Sequence, residues 1–449
     1  MNTRVNRREF LASLAALAAC GGSLDLLAET LPDYYEAYLA GLAGKLRANA
    51  AKGTPNAFWF VTDLHFAANH RMAGRVIADL IGRTGIRNAF GGGDYQVAFC
   101  GKMEPKKAVE LGISRYRELL RDPIEAAGGV FLSAKGNHDT HISVGRKDKR
   151  GYTLSAAETR RMMMDVRAAK SVVMPDDKRD GMYFYYDDSA AKVRYVFGDT
   201  SNGTNNGHSD TSAFSYGNVM GEEQVAWIRD VALGTLPAGW KAVSLQHIPF
   251  CAVLGGNKGD ETRMAPIRAV YEKAVRDGKL LFNVAGHHHC DRFAVWNGLV
   301  HLGVTCDACY SDPVKRSLFA DMAKMQKRKG TASEQGFDCI QFGDGLLRAT
   351  RVGAGHDRTI HLKPLAMKVG EKLKLKATEI KGTLSWDAFD SGEFAENRSA
   401  QTPEEFCVLS RKLAEIAPDG TVTAKAPGSV TAVAWDGNHD KEIFGIEIA

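Results

Sequence analysis

What the chain has little of narrows it first. It contains no low-complexity tract, and its Ala/Leu-rich run from Leu11 to Ala19 is too short to span a bilayer as a permanent helix. Excess charge of one sign is small. A net +5 over 449 residues leans toward anionic partners without demanding nucleic acid. The basic clusters Arg146 to Arg150 and Lys324 to Lys329 read as solvated faces. Cysteine is sparse too: of eight, seven lie after residue 99, an odd number that cannot all pair, and no dense disulfide framework is visible. Cys306-Asp307-Ala308-Cys309 is a CxxC without a second pair to complete a zinc site; it reads as two small buried residues, the alternative being a local disulfide in an oxidising compartment. What is present, 44% hydrophobic and 25% charged residues, is globular. The length exceeds one ordinary domain, so two folded units and an export segment are expected.

The export segment is residues 1–23. Asn6-Arg7-Arg8-Glu9-Phe10-Leu11 is a twin-arginine signature, and Leu17-Ala18-Ala19-Cys20 resembles the lipobox of bacterial lipoproteins. That resemblance implies a lipid anchor on Cys20 and a membrane-anchored lipoprotein. The alternative is cleavage at small residues and release into the periplasm. The twin-arginine route carries folded proteins, which suits one that acquires metal before crossing.

Residues 24–52 read as a lead-in helix, with Leu31, Tyr35, Tyr38, Leu39, Leu42 and Leu46 near helical spacing. From Ala57 strands and helices alternate: strands at 57–62, 87–90 and 130–133, helices at 72–82 and 105–127. Ser155-Ala156-Ala157-Glu158 is a capping box. A hairpin is expected over 182–196, a long surface loop over Ser201 to Asn218, a helix over 221–231, and apolar strands at 242–245 and 280–285.

After about residue 355 the pattern shifts to short alternating strands, an all-β unit over 355–449. Lys368-Val369-Gly370-Glu371 and the run Ile416 to Gly428 resemble the bacterial immunoglobulin-like group 2 module, with Ala388 to Pro403 as an insertion. That resemblance implies contact with the cell envelope or a glycan.

Chemistry concentrates in five places: Asp63-Leu64-His65, Gly93-Asp94, Gly136-Asn137-His138-Asp139, His247, and Gly286-His287-His288-His289. Most sit where an apolar run ends, as ligand sites do in open α/β sheets. Each alone reads as an ordinary polar loop; all five in order do not. Carboxylates, imidazoles and one amide oxygen form a hard-to-borderline donor set suited to manganese, iron, zinc or a mixed pair, and no cysteine joins them.

In order and identity these motifs resemble the calcineurin-like metallophosphoesterases, over about residues 57 to 305 of a domain bounded at 53–354. The resemblance implies an α/β sandwich of two mixed sheets flanked by helices. It implies two metal ions, divalent or mixed-valence, one held by Asp63, His65, Asp94 and His289, the other by Asp94, Asn137, His247 and His287. His138 would protonate the leaving oxygen or stabilise the phosphate, with Asp139 orienting its ring. The implied reaction is in-line attack of metal-bound hydroxide on a phosphomonoester or phosphodiester. Purple acid phosphatases are set aside, because His65 is present and Val97 stands where their tyrosine falls. His288 is expected to point away from the metals, Tyr95 and Gln96 are placed to line the cleft, and His70, His141 and His208 read as exposed. Two other readings remain. One is an envelope- or glycan-binding protein with a vestigial metal site, which the complete ligand set counts against. The other is an exported nuclease, for which steep salt dependence would speak.

Overall fold

The structure, a computed structural model, describes residues 30–65, 70–95, 103–139, 141–145, 148–153, 163–164, 172–175, 182–200, 220–249, 258–289, 291–307, 323–343, 345–391 and 410–449. The signal segment with Cys20, the capping box at Ser155, Gln96, the loop Ser201 to Asn218 with His208, and Cys309 lie outside the described residues. No helix among the described residues is long and apolar enough to cross a membrane.

The lead-in segment forms a 3-10 turn, Asp33–Tyr35, running into α1, Glu36–Ala51. Tyr35, Leu39, Leu42 and Leu46 recur at helical spacing and are buried. Next come β1 (Asn56–Val61), α2 (His70–Thr84) and β2 (Asn88–Gly91). Then α3 (Pro105–Tyr116), a π-type turn Arg117–Arg121 and α4 (Asp122–Ala126) lead to β3 (Val130–Ser133). In α2, Ala73, Val76, Ile77, Leu80 and Ile81 make one buried stripe. Gly85 closes that helix in the left-handed region, its N–H returning to Ile81 O at 2.8 Å. β1, β2 and β3 pair in parallel, so their C-terminal tips share one edge.

A separate hairpin follows, β4 (His141–Gly145) with β5 (Asp148–Thr153). The second sheet is built from β6 (Val172–Val173), β7 (Phe184–Asp188), β8 (Val193–Gly198), β9 (Lys241–Gln246), β10 (Leu280–Ala285), β11 (Arg292–Trp296) and β12 (Leu299–Gly303). Its order is β11-β12-β10-β9-β8-β7-β6, with β8, β9 and β10 parallel. α5 (Glu222–Trp227) precedes β9, and α6 (Lys258–Arg276) connects β9 to β10. Met264, Ile267 and Tyr271 of α6 share a buried cluster with Ala242, Leu280 and Leu299. The two sheets face each other through aromatic rings: Phe58 lies 5.4 Å from Tyr195, and Phe90 lies 5.3 Å from Phe197.

The first sheet continues antiparallel from β1 through β13 (Gly336–Gly343), β14 (Leu346–Gly353) and β15 (Arg358–His361). The sequence gives little sign of β13 and β14, because Asp338, Gln341, Arg348 and Arg351 interrupt the apolar pattern although all four are buried. Each is satisfied inside the fold. Asp338 accepts from Arg351, Gln341 donates to Leu46 O, and Arg348 donates to Glu379.

The C-terminal region is all-β in its described residues: β16 (Leu365–Met367), β17 (Lys372–Lys374), β18 (Ser385–Asp390), β19 (Ala414–Ile416), β20 (Thr421–Ala424), β21 (Gly428–Trp435) and β22 (Lys441–Ile448). β17, β20 and β19 form a small sheet of their own. β22 instead pairs in parallel with β15, Arg358 opposite Lys441, and with β16, so β16, β18, β21 and β22 carry the first sheet on to ten strands. β21 and β22 also cover the edge at β11, where Thr431 Oγ1 accepts the Val295 N–H and Glu447 Oε1 accepts that of Gly298, each at 3.1 Å. The molecule is thus a mixed α/β structure of two face-to-face mixed sheets with helices outside, extended at one end by β structure.

Candidate metal centre

Five strand tips from the two sheets converge. Asp63 and His65 follow β1, Asp94 follows β2, Asn137 to Asp139 follow β3, His247 follows β9, and His287 to His289 follow β10. The tips are stitched by backbone hydrogen bonds: Asp63 N–H to Gly93 O, His65 N–H to Asp94 O, and Gly286 N–H to His247 O, at 2.9, 3.1 and 3.0 Å. Glycine permits this closeness. A Cβ on Gly136 would sit 2.2 Å from Asp94 N, and one on Gly286 would sit 2.1 Å from Thr62 Oγ1.

The side chains form two groups, each with its ligand atoms within 4.8 Å of one another: Asp63, His65 and His289, and Asp94, His247 and His287. In the first, His289 Nε2 lies 3.3 Å from Asp63 Oδ1 and 3.1 Å from His65 Nε2. Two ring nitrogens so close cannot both carry protons toward each other. In the second, His247 Nε2 lies 3.1 Å from Asp94 Oδ2, 3.0 Å from Asn137 Oδ1 and 3.2 Å from His287 Nδ1. Asp94 Oδ2 also lies 3.9 Å from His65 Nε2, which ties the groups together. His247 Nδ1 donates to Gly92 O at 2.6 Å, so the Nε2 edge faces the cluster.

The backbone is strained here. Five of the eight non-glycine residues with positive φ among the described residues are Asp63 (55°), His65 (45°), Asp94 (58°), His287 (74°) and His289 (56°). Such conformations cost about 1–3 kcal/mol each and concentrate where a site dictates geometry.

The electrostatics point the same way. Asp63 and Asp94 are 0% and 1% exposed, and among the described residues no Lys or Arg pairs with either. Burial alone would raise the Asp63 carboxyl, but the hydrogen bond from His289 and the charges of His247 and His289 hold it below its ordinary value. Asp94 is likewise held well below, where the charges of His247 and His138 outweigh burial. In return, against the opposing effect of burial, His247 is pushed up to about 9, chiefly by Asp94. His289 is also raised to about 9, by Cys306 and Asp63 against its burial. Burial and the neighbouring His247 charge bring His287 down to about 3. A buried anionic pair whose ionisable partners of opposite charge, among the described residues, are imidazoles, with converging N and O donors, fits bound cations.

No protein-family model matches the chain, and no curated protein matches it. Solved structures are similar to part of it. A dimetal phosphatase from Danio rerio is 12% identical, over 68% of this chain and 98% of that one, with a TM-score of 0.47. Phosphopantetheinyl hydrolase from Mycobacterium tuberculosis is 13% identical, over 56% and 90%, with a TM-score of 0.29. Vps29 complexed with zinc from Entamoeba histolytica is 10% identical, over 68% and 99%, with a TM-score of 0.27. Likeness at this level assigns no residue a role.

The structure brings together all nine residues singled out in the sequence. His138 extends Nε2 to 3.8 Å from Asp94 Oδ2, with its side chain 17% exposed. Asp139 serves as a clamp: its carboxylate accepts the backbone N–H groups of Asp94, Tyr95 and Gly136 at 2.9, 2.7 and 2.8 Å. Burial, reinforced by Asp94, pushes its pKa up to about 6. His288 belongs to neither ligand group; its ring packs edge-on against that of His287, 4.8 Å away. Tyr95 lies in the core behind the cleft, bonded to Ser133 Oγ at 2.5 Å. Sequence reading misses Thr62, whose hydroxyl donates to Asp63 Oδ2 at 2.6 Å. It also misses the buried pair Lys135–Asp199, 2.8 Å apart, which joins the tips of β3 and β8 across the two sheets. The position of both residues at strand tips is the one signal that would have singled them out.

Proposed function

We propose that the chain is a metal-dependent hydrolase of phosphate esters, monoesters or diesters, working with two metal ions. One observation carries this reading: a single buried oxygen, Asp94 Oδ2, faces His247 Nε2 at 3.1 Å and His65 Nε2 at 3.9 Å, so one carboxylate serves both ligand groups. A shared carboxylate suits two cations held close, because its charge offsets their repulsion. In this reading Asp63, His65, Asp94 and His289 hold one ion, and Asp94, Asn137, His247 and His287 the other; the donor set suits manganese, iron or zinc. When bound, the ions supply charge to the phosphoryl oxygens and lower the pKa of water at the site. The Gly92 carbonyl fixes the His247 ring, Asp139 locks the loops carrying Asp94 and Asn137, and His138 donates a proton to the leaving oxygen. The test is hydrolysis of an aryl phosphomonoester and an aryl phosphodiester. Turnover is expected to vanish on chelation and return with manganese or zinc; a protein with two bound ions that turns over neither ester would overturn the reading.

Metal uptake at neutral pH is expected to release protons. In the metal-free chain His247 and His289 sit at about 9, against an ordinary 6.5, so both are protonated at pH 7. These raised values stabilise the metal-free fold fully below pH 6.5, and that stabilisation is lost as pH rises through about 9. Competition from protons therefore weakens over the same interval, and metal affinity should climb from pH 7 to 9. Calorimetry at pH 7 in buffers of different ionisation enthalpy should count about two protons released per chain. Affinity that is flat between pH 7 and 9 would contradict this assignment.

A further inference from the structure

The loop that carries His287 and His289 is held from an unexpected direction. Asp291, two residues beyond His289, accepts from Thr305 N–H at 3.1 Å, from Arg351 Nη2 at 2.5 Å and from Arg358 Nη1 at 3.1 Å. Thr305 Oγ1 in turn donates to the backbone carbonyl of His289 at 3.0 Å. Behind Asp291, Arg351 Nε donates to Asp338 Oδ1 at 2.7 Å, and Arg358 Nη2 donates to Asp338 Oδ2. Two arginines and two aspartates thus form a charge-balanced quartet, in which the Arg351 and Arg358 side chains are 2% and 1% exposed and that of Asp291 is 17% exposed. Arg358 opens β15, the strand that pairs with β22, and its neighbour Asp357 is fixed by Asp440 and Lys441. The guanidinium therefore stands on the ladder that joins the C-terminal β region to the first sheet.

We propose that Arg358 is a positioning residue for the metal centre: through Asp291 and Thr305 it holds the His287–His289 loop in its strained left-handed geometry, so that the C-terminal β region is part of what makes the site bind metal. This rests on the two-metal reading. The loop has positive φ at His287 (74°) and His289 (56°) and relaxes unless it is held. The planar fork of arginine reaches Asp291 and Asp338 at once, which a shorter or neutral side chain does not. Partners behind metal ligands commonly set affinity by 10–100-fold.

The experiment measures zinc and manganese affinity of the full chain by competitive calorimetry, beside melting of the metal-free protein. Arg358→Gln is expected to fold and to bind metal about 10–100-fold more weakly, with Arg358→Lys between it and the wild type. Arg194→Gln is the control. Arg194 is an equally buried arginine, bidentate to Asp187 at 2.7 and 2.8 Å in the second sheet, and its loss should lower melting and leave metal affinity unchanged. Should Arg358→Gln fail to fold, Asp291→Asn, which keeps the volume and weakens both arginine contacts, is measured in its place and should show the same weakening. Wild-type affinity in a folded Arg358→Gln or Asp291→Asn protein overturns the inference. A wild-type chain that takes up no metal overturns the two-metal reading itself.

Discussion

Asp94→Asn is expected to abolish metal-dependent ester hydrolysis in a protein that still folds. The residue stands between the two ligand groups, 3.1 Å from His247 Nε2 and 3.9 Å from His65 Nε2 through one oxygen, while its other oxygen accepts the His138 N–H at 2.8 Å. Asparagine keeps the shape and can keep the bond to His138 N–H, so the loop is not dismantled. What it removes is the negative charge that both ions would share. Loss of one preorganised electrostatic group costs about 10²–10³ in rate, and a group serving two ions should exceed the upper figure. Titration calorimetry should find fewer than two ions bound, and circular dichroism of the metal-free variant should match the wild type. A variant that binds two ions and turns over within about tenfold of wild type would remove Asp94 from the centre of the mechanism.

His138→Ala should have the second largest effect, of a different kind. Its backbone N–H, which binds Asp94 Oδ1, survives the substitution, so both ions should still bind. The imidazole that is lost has its Nε2 3.8 Å from Asp94 Oδ2 and is partly exposed, beside the proposed metal pair where a leaving group would depart. A general acid contributes about 10²–10⁴ when the leaving oxygen needs a proton. An alkyl phosphate should therefore slow by that factor, and a nitrophenyl phosphate, which departs as a stable anion, by far less. Comparing kcat/KM for the two esters checks it. Equal losses on both, or loss of bound metal, would assign His138 to substrate or metal binding in place of proton transfer.

Much of the candidate site was legible because its signals are local. An apolar strand ends where a polar ligand type begins, with a glycine between them at Asp94, Asn137 and His287 and none at Asp63 and His247, and that switch is visible without knowing which strands are neighbours. The alternation of strands and helices before residue 140 is equally local, since the buried stripe of α2 repeats within one helix. Parallel neighbours then deliver their tips to one edge, so the sequence by itself determined the candidate ligand set that the proposed two-metal site uses.

Only the tertiary structure decided what holds those ligands. The left-handed backbone at Asp63, His65, Asp94, His287 and His289 is imposed by the hydrogen bonds between loops, not announced by residue type. Asp139 became a backbone clamp because two strand tips meet there. Asp338, Arg351 and Arg358 look like surface residues in a sequence, and their burial depends on finding one another and Asp291 across as many as 67 positions. The same holds for β22, which joins β15 at a separation of more than eighty residues. Charge pairing and strand pairing over such distances carry no local periodicity, so the chain reveals them only once it is folded.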